Sequence, residues 1–128
     1  MGTDINIIIE YRMPCRDRFD WYNFDAICMN RNYLMFSLMA GIRVAPPVEP
    51  MFDPRGFPPD MHPGRYMGDF EPDGFAASWL SRDEFERVMV AYRESETQND
   101  FDYSVLMDIL NSLISNGAEE SRIVFWFD

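Results

Sequence analysis

The apolar positions at the start of the chain follow the period of a β-strand. Residues 4–12 read DINIIIEYR, with isoleucines alternating on one face and Ile8 on the other. β-branched residues at this spacing predict a buried strand. The aromatic-rich stretch 18–27, RFDWYNFDAI, predicts a second and more exposed strand.

After Asn30 the pattern changes to the period of an α-helix. Apolar side chains recur at intervals of three and four through RNYLMFSLMAG, which predicts a helix over residues 31–41. Asn30 is the predicted N-cap. Gly41 is the predicted end, because glycine readily adopts the left-handed backbone angles that terminate helices.

Two further helices are predicted in the second half of the chain. In SWLSRDEFERVMVAYRE, Ser81 and Glu84 form a capping box ahead of a helix over residues 82–94. A polar break separates it from a third helix over residues 101–115, which ends at an Asn-Gly pair. The apolar positions of this third helix are Phe101, Val105, Ile109, Leu110, Leu113 and Ile114.

The last apolar segment, RIVFWF at residues 122–127, is apolar on both faces. Such a segment is typical of an interior strand, and we expect it to lie beside the first strand in one sheet. The predicted fold is therefore α+β. One compact domain over residues 1–128 would pack a small sheet against about three helices.

Residues 43–75 form neither a helical nor a strand pattern. Seven of the nine prolines fall between positions 46 and 63, so regular structure is excluded over much of this segment. Its aromatic and methionine side chains favour an ordered loop that lies over the domain. Loops of this length inside compact domains are often functional.

The charge balance narrows the classes of partner. The net charge is −11, from 22 acids and 11 bases, and every base is arginine. This excess disfavours direct nucleic-acid binding and suits a basic partner protein, although it also serves solubility. Cys15 and Cys28 are too few for a disulfide framework. No apolar run predicts a signal or a membrane span, so we expect a cytoplasmic protein.

One candidate chemical site is acidic. Asp4, Glu10, Asp60 and His62 would together offer carboxylates and an imidazole to a divalent metal or to acid–base chemistry. Their spacing does not require it, because Asp4 and Glu10 lie about 20 Å apart on an extended strand. The alternative is a set of solvated carboxylates with a loop histidine.

A second candidate site is basic and aromatic. Arg55 stands between Pro54 and Gly56, in a turn that would present its guanidinium to a phosphate or carboxylate of a ligand. The alternative is that Arg55 pairs with Asp53, Asp60 or another acid and makes the loop rigid. Arg31, Asn32 and Tyr33 lie at a predicted helix start, where free amides favour anions. With Trp79 and Asp60, these residues are the predicted ligand-binding set: Arg31, Asn32, Tyr33, Arg55, Gly56, Asp60 and Trp79. A routine helix cap is the alternative for the first three.

Catalytic signatures are lacking in the sequence. It contains no nucleophile elbow, phosphate-binding loop or dinucleotide fingerprint, and His62 is the only histidine. We therefore predict no catalytic residue and no cofactor.

The order of short motifs resembles a family of small phage- and prophage-encoded proteins of unassigned function. The motifs are MGTDI, RNYLMFSLMAGIR, PRGFPPD, SWLSRDEF and RIVFWFD, and they span nearly the whole chain. The resemblance implies a phage origin and an accessory role. Where the family pattern has histidines, this chain has Asn6 and the segment GFAA, which favours binding over catalysis.

Three classes of function fit these observations. The first is an accessory binding protein that counters a bacterial defence system, either by sequestering a nucleotide-type signal or by occluding a basic host defence protein with its acidic surface. The second is a metal-dependent nucleotide hydrolase. The third is a virion structural or assembly protein. A homo-oligomer is compatible with each of them.

Overall fold

The computed structural model describes residues 2–15, 20–24, 27–44, 49–62, 74–95 and 100–128. Its elements, in chain order, are β1 (Ile5–Arg12), β2 (Tyr22–Asn23), β3 (Ile27–Cys28), α1 (Tyr33–Ala40), β4 (Phe75–Ser81), α2 (Arg82–Arg93), α3 (Phe101–Ser115) and β5 (Glu120–Phe127). The α+β prediction is confirmed. None of the described helices has the length and apolar character needed to cross a membrane.

The sheet is built around β5. This strand pairs antiparallel with β1 on one side and with β4 on the other, and the β1 pairing runs from Ile5↔Phe127 to Arg12↔Glu120. The first and last strands are therefore neighbours, and the last strand is interior, as predicted. The short strands β2 and β3 both pair with the opposite side of β1. Of the described positions in the predicted strand over residues 18–27, only Tyr22, Asn23 and Ile27 lie in strands, and β3 extends to Cys28.

Strand β4 is an element that the sequence pattern does not predict. Its sequence, FAASWLS, contains two alanines, which have low strand propensity. Its pairing with β5 shifts register between Phe75 and Ser78, and Ala76 has a positive φ of 54°. The irregular backbone removes the clean alternation that marks a strand.

The helices cover one face of the sheet. Ile5, Ile7 and Ile9 of β1 and Phe125 of β5 pack there with buried residues of all three helices, such as Phe36. The opposite face carries a smaller apolar cluster of Ile8, Met61, Val124 and Trp126, with Phe57, Ala77 and Trp79 packed against it.

The described part of the proline-rich loop, residues 49–62, covers this second face. Phe52 packs against the helix-side core, whereas Phe57 packs against the opposite cluster. Between them, the N–H of Gly56 donates to the carbonyl of Ala77 on β4 at 2.7 Å. The segment therefore passes around the β4 edge and contacts both faces of the sheet. The remaining loop positions, 45–48 and 63–73, lie outside the described residues.

Helix α1 begins two residues later than predicted. Asn32, not Asn30, is the N-cap: its side-chain oxygen accepts from the N–H of Met35 at 3.1 Å. The Asn32 amide also donates to the buried hydroxyl of Tyr92 at 2.9 Å, which fixes the cap to α2. The backbone N–H of Asn30 instead donates to Asp102. Gly41 ends the helix with a φ of 69°, as predicted.

The capping box of α2 is confirmed. The Ser81 hydroxyl accepts from the N–H of Glu84 at 3.2 Å, and the Glu84 carboxylate accepts from the N–H of Ser81 at 3.0 Å. Without the box, the backbone N–H groups of Ser81 and Glu84 would lack acceptors at the helix start. The box therefore fixes the position at which α2 follows β4.

The apolar stripe predicted for α3 faces partly the wrong way. The helix buries Tyr103, Leu106, Met107 and Leu110, whereas 75% of Phe101 and 41% of Val105 are exposed. Apolar residues surround much of this helix, so its period alone does not identify the buried side. The structure selects the side that includes Tyr103, whose hydroxyl donates to the carbonyl of Asn30.

The corrected cap position gives a paired test. We expect Asn32→Ala to lower the free energy of unfolding by about 1–3 kcal/mol, because it removes the cap and leaves the Tyr92 hydroxyl without this partner. Asn30→Ala keeps the backbone bonds and should cost less than about 0.5 kcal/mol. Urea unfolding of the two variants measures the difference; equal losses would contradict the cap assignment.

Candidate functional site

A buried ion pair lies at the centre of the loop-covered face. Glu10 of β1 stands directly opposite Arg122 of β5 in the strand register. Glu10 is fully buried and Arg122 is only 4% exposed. The Arg122 guanidinium donates from Nε to a Glu10 oxygen at 2.8 Å and from Nη2 to Asp60 at 3.1 Å. One cation is thus shared by two carboxylates.

The loop completes the surroundings of this ion pair. The second Glu10 oxygen accepts from the backbone N–H of His62 at 2.9 Å. The second Asp60 oxygen accepts from Trp21 Nε1 at 2.9 Å. The Trp21 ring also lies 3.7 Å from the Arg122 guanidinium carbon. We call Glu10, Asp60, Trp21 and Arg122 the arginine centre; its hydrogen bonds join β1, β5 and the loop.

The pKa of Asp60 reports this environment. Burial raises the pKa, but the hydrogen bond from Trp21 and the positive charge of Arg122 together hold it below its usual range. Arg12 also donates to Asp60, at 3.3 Å, so the ionised carboxylate accepts from three side chains. This is the chemistry of a structural ion pair rather than of a proton-transfer group.

The predicted acidic site assembles only in part. Glu10, Asp60 and the backbone of His62 meet at the arginine centre, whereas Asp4 precedes the far end of β1 and binds Arg31 at 2.6 Å. Within the described ranges, no group of three His, Cys, Asp or Glu side chains is placed to hold a metal ion.

The predicted turn at Arg55 and Gly56 is present. Gly56 has a φ of 79°, so this position requires the conformational freedom of glycine. Arg55 lies beside the ring of Trp79, with 4.6 Å from its guanidinium carbon to the ring centroid, and donates to the Trp79 carbonyl at 3.2 Å. Both terminal nitrogens of Arg55 also donate to Glu84 of α2. Of the two roles predicted for Arg55, the structure shows the one in which it pairs with an acid.

This pairing changes the ionisation of Glu84. The hydrogen bond from Arg55 is the main cause that lowers the pKa of Glu84 to about 2; burial opposes the shift, and the N–H of Ser81 adds to it. The Arg55–Glu84 pair thus connects the loop to the start of α2 across the β4 edge.

The residues around α1 make a separate set of contacts. Arg31 pairs with Asp4, Asn32 caps the helix, and the hydroxyl of Tyr33 accepts from the N–H of Thr3 at 3.2 Å. Trp79 connects Arg55 to the arginine centre, since Arg122 lies 5.7 Å from its ring centroid. The contacts described for Arg31 and Tyr33 do not include Arg55 or Trp79. The seven predicted residues therefore fall into two groups.

An apolar groove between β3 and α3 is a feature that the sequence did not indicate. It has a volume of about 230 Å³ and is lined by Ile27, Cys28, Met29, Phe101, Asp102, Val105, Leu106 and Ile109. The surplus of apolar residues around α3, more than one buried face requires, is the sequence feature from which it could have been predicted.

Comparisons with known proteins identify no relative. No family model matches the chain, and neither a curated protein nor a solved structure shows significant similarity. The resemblance to small phage proteins therefore stays a prediction.

The arginine centre predicts a large cost for removing its cation. Arg122→Met leaves the buried Glu10 carboxylate uncompensated, and we expect a loss of about 3–5 kcal/mol in the free energy of unfolding. Arg82→Met, at a surface arginine with exposed partners, should cost less than about 1 kcal/mol. Urea titration compares them. If Glu10→Met combined with Arg122→Met were no more stable than Arg122→Met alone, the uncompensated charge would not be the cause.

The Arg55–Glu84 pair predicts a pH dependence. A folded-state pKa below the ordinary 4.5 of Glu84 stabilises the protein above that pH, and this stabilisation is lost as the pH falls from 4.5 towards 2. Arg55→Met should therefore destabilise by about 1 kcal/mol at neutral pH, with the difference from wild type shrinking across that window. Arg87→Met, which removes a more exposed arginine 4.0 Å from Glu84, is the control. A difference that stays constant down to pH 2 would contradict the prediction.

Proposed function

We propose that this protein is a phage-encoded accessory binding protein that counters a bacterial defence system by occluding a basic host protein. It acts in the cytoplasm of the bacterial host and needs no cofactor. The phage context rests on the ordered motifs of the chain, and the choice of occlusion rests on its charges.

The ion pairs of the predicted phosphate-binding arginines support occlusion of a protein over sequestration of a nucleotide. Arg31 donates to Asp4, and Arg55 donates to Glu84. A nucleotide phosphate would have to displace a carboxylate at each position and would leave that carboxylate beside it. Both arginines are therefore paired with carboxylates of the protein itself, which disfavours their use as phosphate-binding cations.

The excess of acids supports occlusion of a basic partner. Eleven negative charges remain even if every arginine is matched with one acid. Asp20, Glu49, Asp53 and Asp108 are exposed carboxylates on different parts of the described surface. Such a surface attracts a basic protein at long range and loses that attraction as salt is added.

A capture experiment tests the proposal. We expect immobilised wild-type protein to retain a basic protein from a bacterial extract at about 0.1 M salt and to release it at about 1 M, where charges are screened within a few ångströms. Neutralising three exposed acids with Asp20→Asn, Glu49→Gln and Asp53→Asn should weaken retention roughly tenfold. Arg87→Gln, which makes the surface more acidic, should not weaken it.

A nucleotide assay tests whether the protein sequesters or cleaves a nucleotide instead. The protein is incubated with cyclic and ADP-ribose-type nucleotides, washed and heat-denatured, and the supernatant is analysed by mass spectrometry. We expect no retained nucleotide. Intact nucleotide that is released from the wild type but not from Arg55→Ala would overturn occlusion in favour of sequestration. A cleaved nucleotide would indicate a hydrolase.

A further inference from the structure

The groove between β3 and α3 exposes more apolar surface than the fold requires. Phe101 is 75% exposed, Val105 41% and Ile27 37%, and they lie around one depression. Contiguous apolar surface of this kind on a water-facing side marks interaction sites, whereas isolated apolar residues do not.

Hydrogen bonds hold the two walls of the groove together. The N–H of Asn30, which follows the β3 wall, donates to Asp102 of α3 at 2.9 Å. The hydroxyl of Tyr103 donates to the carbonyl of the same Asn30 at 3.3 Å. The backbone N–H and the backbone carbonyl of Asn30 are thus both bonded to α3, which holds the two walls together. A partner would enter a groove that is already formed, which lowers the ordering cost of binding.

The dimensions of the groove fit a short helix. Phe101, Val105 and Ile109 stand one helical turn apart on α3, so this apolar ridge is about 12 Å long at 1.5 Å per residue. Two turns of a facing amphipathic helix present apolar side chains at matching i, i+4 and i+7 spacing. An added strand fits less well, because β3 offers an edge of only two residues.

The charge beside the ridge identifies the chemistry of the occupant. Asp102 lines the groove, and the exposed Asp108 lies one turn after Val105. The described lining residues include no base. Lysine and arginine residues flanking the apolar face of an incoming helix would therefore meet carboxylates. A second copy of this chain, with its own charge of −11, would instead bring repulsion.

We propose that the groove between β3 and α3 is the docking site for a basic amphipathic helix of the partner protein. This inference rests on the proposed function and names the part of the partner that is recognised. The apolar face of the helix packs on Phe101, Val105 and Ile109, and its cationic flanks lie over Asp102 and Asp108.

Designed peptides test the inference without knowledge of the partner. The probe is an 18-residue amidated peptide with leucines at i, i+4, i+7 and i+11 and with alanine and lysine elsewhere. Binding is measured by fluorescence anisotropy of a labelled probe. One control peptide has the same composition in shuffled order, and a second has glutamate in place of lysine. We expect both controls to bind at least tenfold more weakly than the probe.

Two matched variants place the binding on the groove. Val105 lies on the ridge, whereas Val90 is a comparably exposed valine of α2 outside the groove lining. Val105→Asp and Val90→Asp make the same change in charge. We expect Val105→Asp to weaken probe binding at least tenfold and Val90→Asp to leave it within twofold. Thermal unfolding of both variants checks that each remains folded.

Several results would overturn the inference. Equal affinity for the shuffled peptide would mean that charge alone binds the probe, and equal loss in Val90→Asp would place binding elsewhere. If the free protein is a dimer that Val105→Asp dissociates in sedimentation analysis, the occupant is a second copy.

The capture experiment separates this inference from the proposed function. Retention of a basic host protein that survives Val105→Asp would reject the groove and keep the occlusion proposal. Probe binding without any salt-sensitive capture would reject occlusion and keep the groove as a helix-binding site.

Discussion

The pairing of Glu10 with Arg122 is the interaction on which the rest of the structure depends. Both side chains lie on the face of the sheet that the loop covers. Because both are buried away from water, each charge needs the other as its partner. A buried ion pair adds little net stability compared with apolar residues, but a broken one is costly. The ion pair therefore favours one arrangement of the strands and the loop over others. It fixes the register of β1 on β5 and requires the loop to supply Asp60 and the N–H of His62.

The segment over residues 49–62 has a structural role although it contains neither helix nor strand. The described helices cover one side of the sheet, and residues 49–62 cover part of the other. Prolines suit this role because they lower the entropy lost when an irregular segment is held against a surface. Arg55 and Gly56 mark the place where the segment turns around β4. Arg55, Gly56 and Asp60, which resemble a ligand site in the sequence, are thus parts of the segment that covers the sheet.

Much of the fold was predictable, because β1, α1, α2, α3 and β5 each carry a local signal such as period, capping box or terminal glycine. The partners of the candidate site residues could not be predicted, because the pairs Arg55–Glu84 and Arg31–Asp4 join segments that are distant in sequence. The buried side of α3 was also hidden, because both of its faces are apolar. What distinguishes them is contact with Asn30 and the sheet, which no local pattern contains.

The strand order has a consequence for synthesis of the chain. Arg122 follows Glu10 by 112 residues, so the central ladder joins segments from opposite ends of the sequence. Until the ribosome has released β5, β1 has apolar side chains on both faces and lacks its longest partner. A nascent chain that ends before residue 120 lacks the strand that pairs with both β1 and β4. We therefore expect the sheet to form only after β5 has been synthesised, because β5 lies between β1 and β4.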